Sequence, residues 1–125
     1  MATSISHMLK EELQYVVRGT LWIECEQERF FGPGRVELLQ RIDETGSIRK
    51  AAADMGMSYK KAWTMVTALN RQVRRPLVIV KVGGEKGGGS VITDEAKELI
   101  SYHNQLRERF SAFLAKEAND LKSNV

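Results

Sequence analysis

The stretch from Ser47 to Asn70, SIRKAAADMGMSYKKAWTMVTALN, admits few folds and organises the rest of the chain. Gly46 stops what precedes it, and Ser47 offers a side-chain oxygen to free backbone N–H groups, so a helix starts there. Ile48, Ala51, Ala52 and Met55 recur at helical spacing and give that helix one narrow apolar face. The alanines let a second helix cross closely. Gly56 has the conformational freedom to end the first helix, Met57 plugs the corner, and Ser58 caps a second one. In the second helix Ala62, Val66 and Leu69 face inward, leaving Tyr59, Lys60, Trp63, Thr64 and Thr67 outward. Two short helices joined by a tight turn, the second with lysines, aromatics and threonines outside, read as a helix-turn-helix whose second helix enters a DNA groove.

Charge supports that reading by its distribution rather than its sum. The net charge of the 125 residues is only +3. Between Arg35 and Lys86, however, 11 lysines and arginines face 5 aspartates and glutamates, whereas the rest of the chain has 8 against 11. The basic excess therefore coincides with the candidate reading head. This length suits one domain with a real core. The N-terminus lacks the apolar segment of a secretory signal, and no apolar run approaches the roughly 20 residues of a membrane helix. A cytoplasmic protein without a membrane partner is expected. Cys25 is the single cysteine, which excludes an internal disulfide and any multi-cysteine zinc site. It reads as a small packed hydrophobe.

Before the reading head, Ser6 to Leu13 carries a weak signal for a short polar helix. Val16 to Cys25 alternates apolar and polar residues and predicts a half-buried strand, whose partner is expected to be the later strand pair or the same strand of a second subunit. Phe30, Phe31 and the GPG around Pro33 mark a turn into a helix from about Arg35 to Thr45, with Val36, Leu39 and Ile42 inward.

After Asn70, the arginines Arg71, Arg74 and Arg75 stand where a phosphate backbone would pass, and Pro76 ends the helix. Leu77 to Val82 is a β-branched strand, GGEKGGGS from Gly83 to Ser90 a glycine-rich tip, and Ser90 to Thr93 a returning strand. Such a pair following a helix-turn-helix is a wing, with Lys81 and Lys86 supplying charge. A nucleotide-binding loop fits less well, since the glycines lead into a strand and lack the spacing of phosphate-cradling motifs. Thr93, Asp94 and Glu95 open a last helix to about Ala118. Leu99, His103, Leu106, Phe110 and Phe113 form a seam suited to packing on a second subunit, with His103 as an interface residue.

The combination GSIRKAAADMGMSYKKAW, then LN, then PLV, then GGEKGGGSVIT resembles the N-terminal DNA-binding domain of ModE-type molybdate-responsive transcriptional regulators, a winged helix-turn-helix related to that of LysR-type regulators. The resemblance covers Leu21 to Phe113. It implies a homodimer on a palindromic operator, with Ser58, Tyr59, Lys60, Lys61, Trp63 and Thr64 on the recognition helix, and Lys81, Lys86 and the Gly83 to Gly89 loop in the wing. Family members continue into a molybdate-binding region with no counterpart in these 125 residues, so no cofactor and no molybdate binding are expected of this chain.

The expected fold is α+β, mainly α: a winged helix-turn-helix with an N-terminal strand, a two-stranded wing over 77–93 and a long C-terminal dimerisation helix over 94–118. Its function is sequence-specific recognition of an inverted-repeat site on double-stranded DNA, in which Tyr59 and Lys60 touch base edges, Thr64 and Thr67 line the groove, Ser47, Arg49 and Lys50 touch phosphate, and Lys86 reaches the backbone or minor groove. Trp63 either joins the groove face or packs beneath the wing. The alternative is a winged helix used for protein association. No catalytic constellation stands out at usable spacing, so an enzyme is not expected.

Overall fold

The computed structural model describes residues 3–82 and 89–123. Its contacts divide the chain into two compact units, one formed by Trp22–His103 and the other by Met1–Leu21 with Asn104–Val125.

The larger unit begins with a tight hairpin. Strand β1 (Ile23–Cys25) pairs antiparallel with β2 (Glu28–Phe31), with Cys25 opposite Glu28, Glu24 opposite Arg29, and an irregularity that places Ile23 opposite Phe31. Glu26 and Gln27 make the turn with φ of 53° and 68°, the left-handed geometry of a two-residue hairpin loop. Helix α1 (Pro33–Thr45) follows, with Pro33 in its first turn, where a missing N–H costs no helical bond. Its buried face carries Val36, Leu38, Leu39 and Ile42. Gly46 ends it at φ 70° and donates its N–H to the Ile42 carbonyl at 2.8 Å.

Helices α2 (Ile48–Asp54) and α3 (Tyr59–Arg71) form the helix-turn-helix where the sequence places it. Ser47 Oγ accepts from Lys50 N at 3.0 Å, and Ser58 Oγ from Lys61 N at 3.1 Å, so both serines cap as expected. Gly56 takes φ 67° between them, and Met57 N donates to the Ala52 carbonyl. Ala51 and Ala62 are fully buried, which permits the close crossing. Phe31, Leu38, Leu39, Ile42, Leu69 and Leu77 complete the core, each side chain contributing about 1.5–3 kcal/mol by leaving water.

Strands β3 (Val78–Lys81) and β4 (Gly89–Ile92) pair antiparallel, with Val78 opposite Ile92 and Lys81 opposite Gly89. Two devices fasten this pair to the helices. Asn70 at the end of α3 accepts from Leu77 N and Val78 N through Oδ1 and donates through Nδ2 to the Val78 carbonyl at 3.0 Å. Ser90 N donates to the Gly46 carbonyl at 2.8 Å, and a Cβ on Gly89 would stand 3.0 Å from that same oxygen. Thr93 then donates to the Pro76 carbonyl and accepts from Ala96 N, capping α4 (Asp94–Asp120). Among the described residues no helix is long and apolar enough to cross a membrane.

The smaller unit pairs the N-terminal segment with the second half of α4. Ser6–Met8 makes a single 3-10 turn. Lys122 Nζ donates to the carbonyls of Glu11 and Leu13, and its charge lies 5.3 Å from the Tyr15 ring. Residues Val16 to Thr20 run beside Ser111, Leu114, Ala115 and Ala118, leaving a cavity of about 650 Å³. Gly19 lies close to the Phe110 ring there: a Cβ would stand 3.0 Å from its edge, so a larger residue would need that ring to shift.

Several expectations are corrected. The strand expected over Val16 to Cys25 is regular only over Ile23–Cys25, and its partner is the adjacent β2 rather than the wing or a second subunit. Phe30 and Phe31 belong to that second strand instead of a simple turn. The polar helix over Ser6 to Leu13 shrinks to its first turn. The final helix extends two residues past Ala118 to Asp120. His103, expected as an interface residue on the packing seam of the last helix, lies inside the larger unit, buried edge-on against Phe31 with ring centroids 5.4 Å apart.

Candidate nucleic-acid interface

Helix α3 sorts its side chains by the 3.6-residue turn. Ala62, Val66 and Leu69 are buried against α2 and the core. Lys60, Thr64 and Thr67 recur at steps of four and three on the opposite, exposed strip. Lys61 occupies one flank of that strip and the pair Tyr59 and Trp63 the other. Thr64 Oγ1 donates to the Lys60 carbonyl at 2.9 Å, so its hydroxyl presents acceptor capacity and a methyl group outward rather than a donor.

The aromatic flank faces the wing. Ser47, Ile48, Arg49, Tyr59, Trp63, Val80, Lys81, Gly89 and Ser90 enclose a cleft of about 210 Å³ between the start of α2, the start of α3 and strands β3 and β4. The structure thus brings together five residues that the sequence singles out, Ser47, Arg49, Tyr59, Trp63 and Lys81. Ile48, expected on the inner face of α2, also borders the cleft, and Val80 and Ser90 join unannounced, because a strand residue's facing depends on how the wing docks. Trp63 is 43 % exposed and so lines this cleft without being buried under the wing. Its ring centroid lies 6.2 Å from that of Tyr59. The Arg49 guanidinium rests 4.2 Å from the Tyr59 ring centroid, a cation–π contact across the turn.

Ser47 and Ser58 use their oxygen lone pairs as caps and retain a hydroxyl proton to donate. Lys50, Lys60 and Lys61 are exposed beside them. Lys86 lies outside the described residues. The arginines at and beyond the end of α3 divide differently from the simple expectation of a phosphate-facing row. Arg71 is paired with Glu28 at 3.3 Å and Arg75 with Glu95 at 3.6 Å, both on the surface.

Behind α3, Arg35 donates to the carbonyls of Arg29 and Phe30 at 2.8 and 2.9 Å and to Gln72 Oε1 at 3.3 Å. Gln72 Nε2 in turn donates to the Arg29 carbonyl. Burial lowers the Arg35 pKa from its ordinary value, with Glu28 opposing and Arg29 and Arg71 reinforcing. This arginine ties β2 to α1 and the end of α3, so it positions α3 from the core side.

The family model for bacterial regulatory helix-turn-helix proteins of the lysR family matches residues 34–97, from the first turn of α1 through both helices of the motif and the wing. The chain belongs to that family. Among its relatives, the transcriptional regulator ModE of Haemophilus influenzae is 40 % identical over 86 residues, covering 69 % of this chain and 34 % of that protein. The molybdenum-pterin-binding protein MopB of Rhodobacter capsulatus is 39 % identical over 84 residues, covering 67 % and 31 %. The DNA-binding transcriptional dual regulator ModE of Escherichia coli is 36 % identical over 88 residues, covering 70 % and 34 %. The chain spans about a third of the length of these relatives, and the likeness is to that portion of a ModE-type regulator.

Proposed function

We propose that this lysR-family chain is a cytoplasmic, non-enzymatic transcriptional regulator that binds an inverted repeat in double-stranded DNA as a homodimer. The observation that carries this reading is the exposed face of α3. Lys60, Thr64 and Thr67 form its outer strip, with Lys61 on one flank and Tyr59 and Trp63 on the other, while buried Ala62, Val66 and Leu69 hold the helix rigidly in place. Side chains on a rigid helix meet base edges in a fixed register. Ser47, Arg49 and Lys50 flank it on α2, and Lys81 on the wing, where they would meet phosphates. Lys86 would extend the same footprint.

A two-fold dimer would set two α3 helices about 34–36 Å apart and match half-sites one DNA turn apart. The relatives named for transcriptional regulation support the role, and the basic excess around α3 supports the partner. No cofactor or oxyanion site is assigned to this chain.

The test uses the purified chain and a duplex selected by it from random sequence, read by fluorescence anisotropy at fixed salt. Lys60→Ala with Lys61→Ala is expected to weaken binding by about 5- to 150-fold, the range that corresponds to about 1–3 kcal/mol for a lost base contact. Unchanged affinity would remove α3 from the interface. Sedimentation of the complex should give two chains per selected duplex.

A further inference from the structure

On the DNA-binding reading above, we infer that the Tyr59–Trp63 pair recognises the 5-methyl groups of thymines, so that the regulator chooses its sites partly by a methyl pattern in the major groove. The two rings stand one helical turn apart on the wing-side flank of α3, 39 % and 43 % exposed. The pair puts adjoining apolar ring surface on a helix face otherwise covered by lysine and threonine, where a partner's apolar group can be covered.

Their chemistry narrows what that partner is. Neither ring offers the two donors with which a side chain grips guanine, or the paired donor and acceptor that grip adenine. The one apolar group on a base-pair edge in the major groove is the thymine methyl, and a ring face accepts it by dispersion and loss of water. The cleft beside the pair is lined by Ile48 and Val80 together with the polar Ser47, Arg49, Lys81 and Ser90, so a methyl group would find its apolar contact chiefly on the two rings. Arg49 lies over the Tyr59 ring at 4.2 Å and holds that ring in place. Among the described residues the Tyr59 hydroxyl and the Trp63 indole N–H engage no protein acceptor, so each ring retains a donor for a neighbouring base or phosphate oxygen.

Deoxyuridine differs from thymidine by the methyl alone and pairs identically, which makes it the probe. Thymines of a duplex selected by the wild-type chain are replaced by deoxyuridine one at a time, and affinity is measured for each. At one or two positions per half-site, wild-type binding is expected to fall about fourfold, the factor corresponding to about 0.8 kcal/mol for one apolar carbon returned to water. Trp63→Ala or Tyr59→Ala is expected to bring the ratio at its own position to one. Trp63→Phe and Tyr59→Phe, which keep a ring face, should retain it.

A selected duplex that binds equally well with every thymine replaced overturns the inference and leaves DNA recognition standing. So does a methyl ratio that both alanine variants keep. Failure of selection to enrich any sequence overturns the DNA-binding reading, and methyl recognition with it.

Discussion

Asn70 shows how much one side chain at a junction can decide. Its amide stands in for backbone partners at the point where α3 gives way to β3, satisfying two N–H groups and one carbonyl. Asn70→Ala would leave those groups half-buried without partners. It is expected to lower stability by about 2 kcal/mol in urea denaturation, within the range for unsatisfied buried polar groups. Arg71 illustrates the opposite case. Its pair with Glu28 is well exposed on both sides, so it adds little to stability, yet it occupies a cation that sits one turn beyond Thr67 on the outer strip of α3. Glu28→Gln removes that competing carboxylate. DNA affinity in low salt should rise about two- to threefold, a gain that titrations at high salt should abolish.

At the scale of elements, the wing is held by a close backbone contact that a side chain would crowd. β4 approaches the end of α1 so closely that Ser90 N reaches the Gly46 carbonyl, and Gly89 is what allows it. Gly89→Val should push β4 away, weaken DNA binding severalfold and leave the helical circular dichroism unchanged, because α1, α2 and α3 pack without it. Gly46 meets a second demand, since its left-handed φ of 70° ends α1 and turns the chain into the cap of α2. Gly46→Ala is expected to cost about 1 kcal/mol in thermal or urea unfolding.

For the whole molecule, charge placement matters more than net charge. The basic excess between Arg35 and Lys86 is the surplus that would neutralise phosphates, so affinity should fall steeply and linearly in log–log plots against salt. Lys81→Ala and Lys86→Ala should each reduce that slope by about 1 per subunit and weaken binding evenly across sequences. Lys60→Ala should discriminate among sequences instead. The family match over residues 34–97 contains all of these lysines, whereas the N-terminal hairpin β1–β2 and most of α4 lie outside it.

The two helices of the reading head were legible because their signals are local. Ser47 and Ser58 cap within three residues, Gly56 turns within one, and Ala51, Ala62, Val66 and Leu69 follow from periodicity. The β1–β2 hairpin was not, because Glu26 and Gln27 take a left-handed turn that glycine or asparagine normally announces, and because an irregularity in the pairing breaks the alternation. Leu38 joins the buried face of α1 beside the expected Leu39, in a helix that packs against α2, β4 and β2 at once. His103, polar by composition, is buried against Phe31 from a position 72 residues away. The sequence by itself determined where helices start, stop and face, since those choices are made by hydrogen bonds spanning four residues or fewer. Only the tertiary structure decided that Arg49 stacks on Tyr59, that Arg71 meets Glu28, and that Val80 closes a cleft beside Trp63. Such pairings are set by chain reversals that bring distant segments together, and no spacing in the sequence encodes the distance between them.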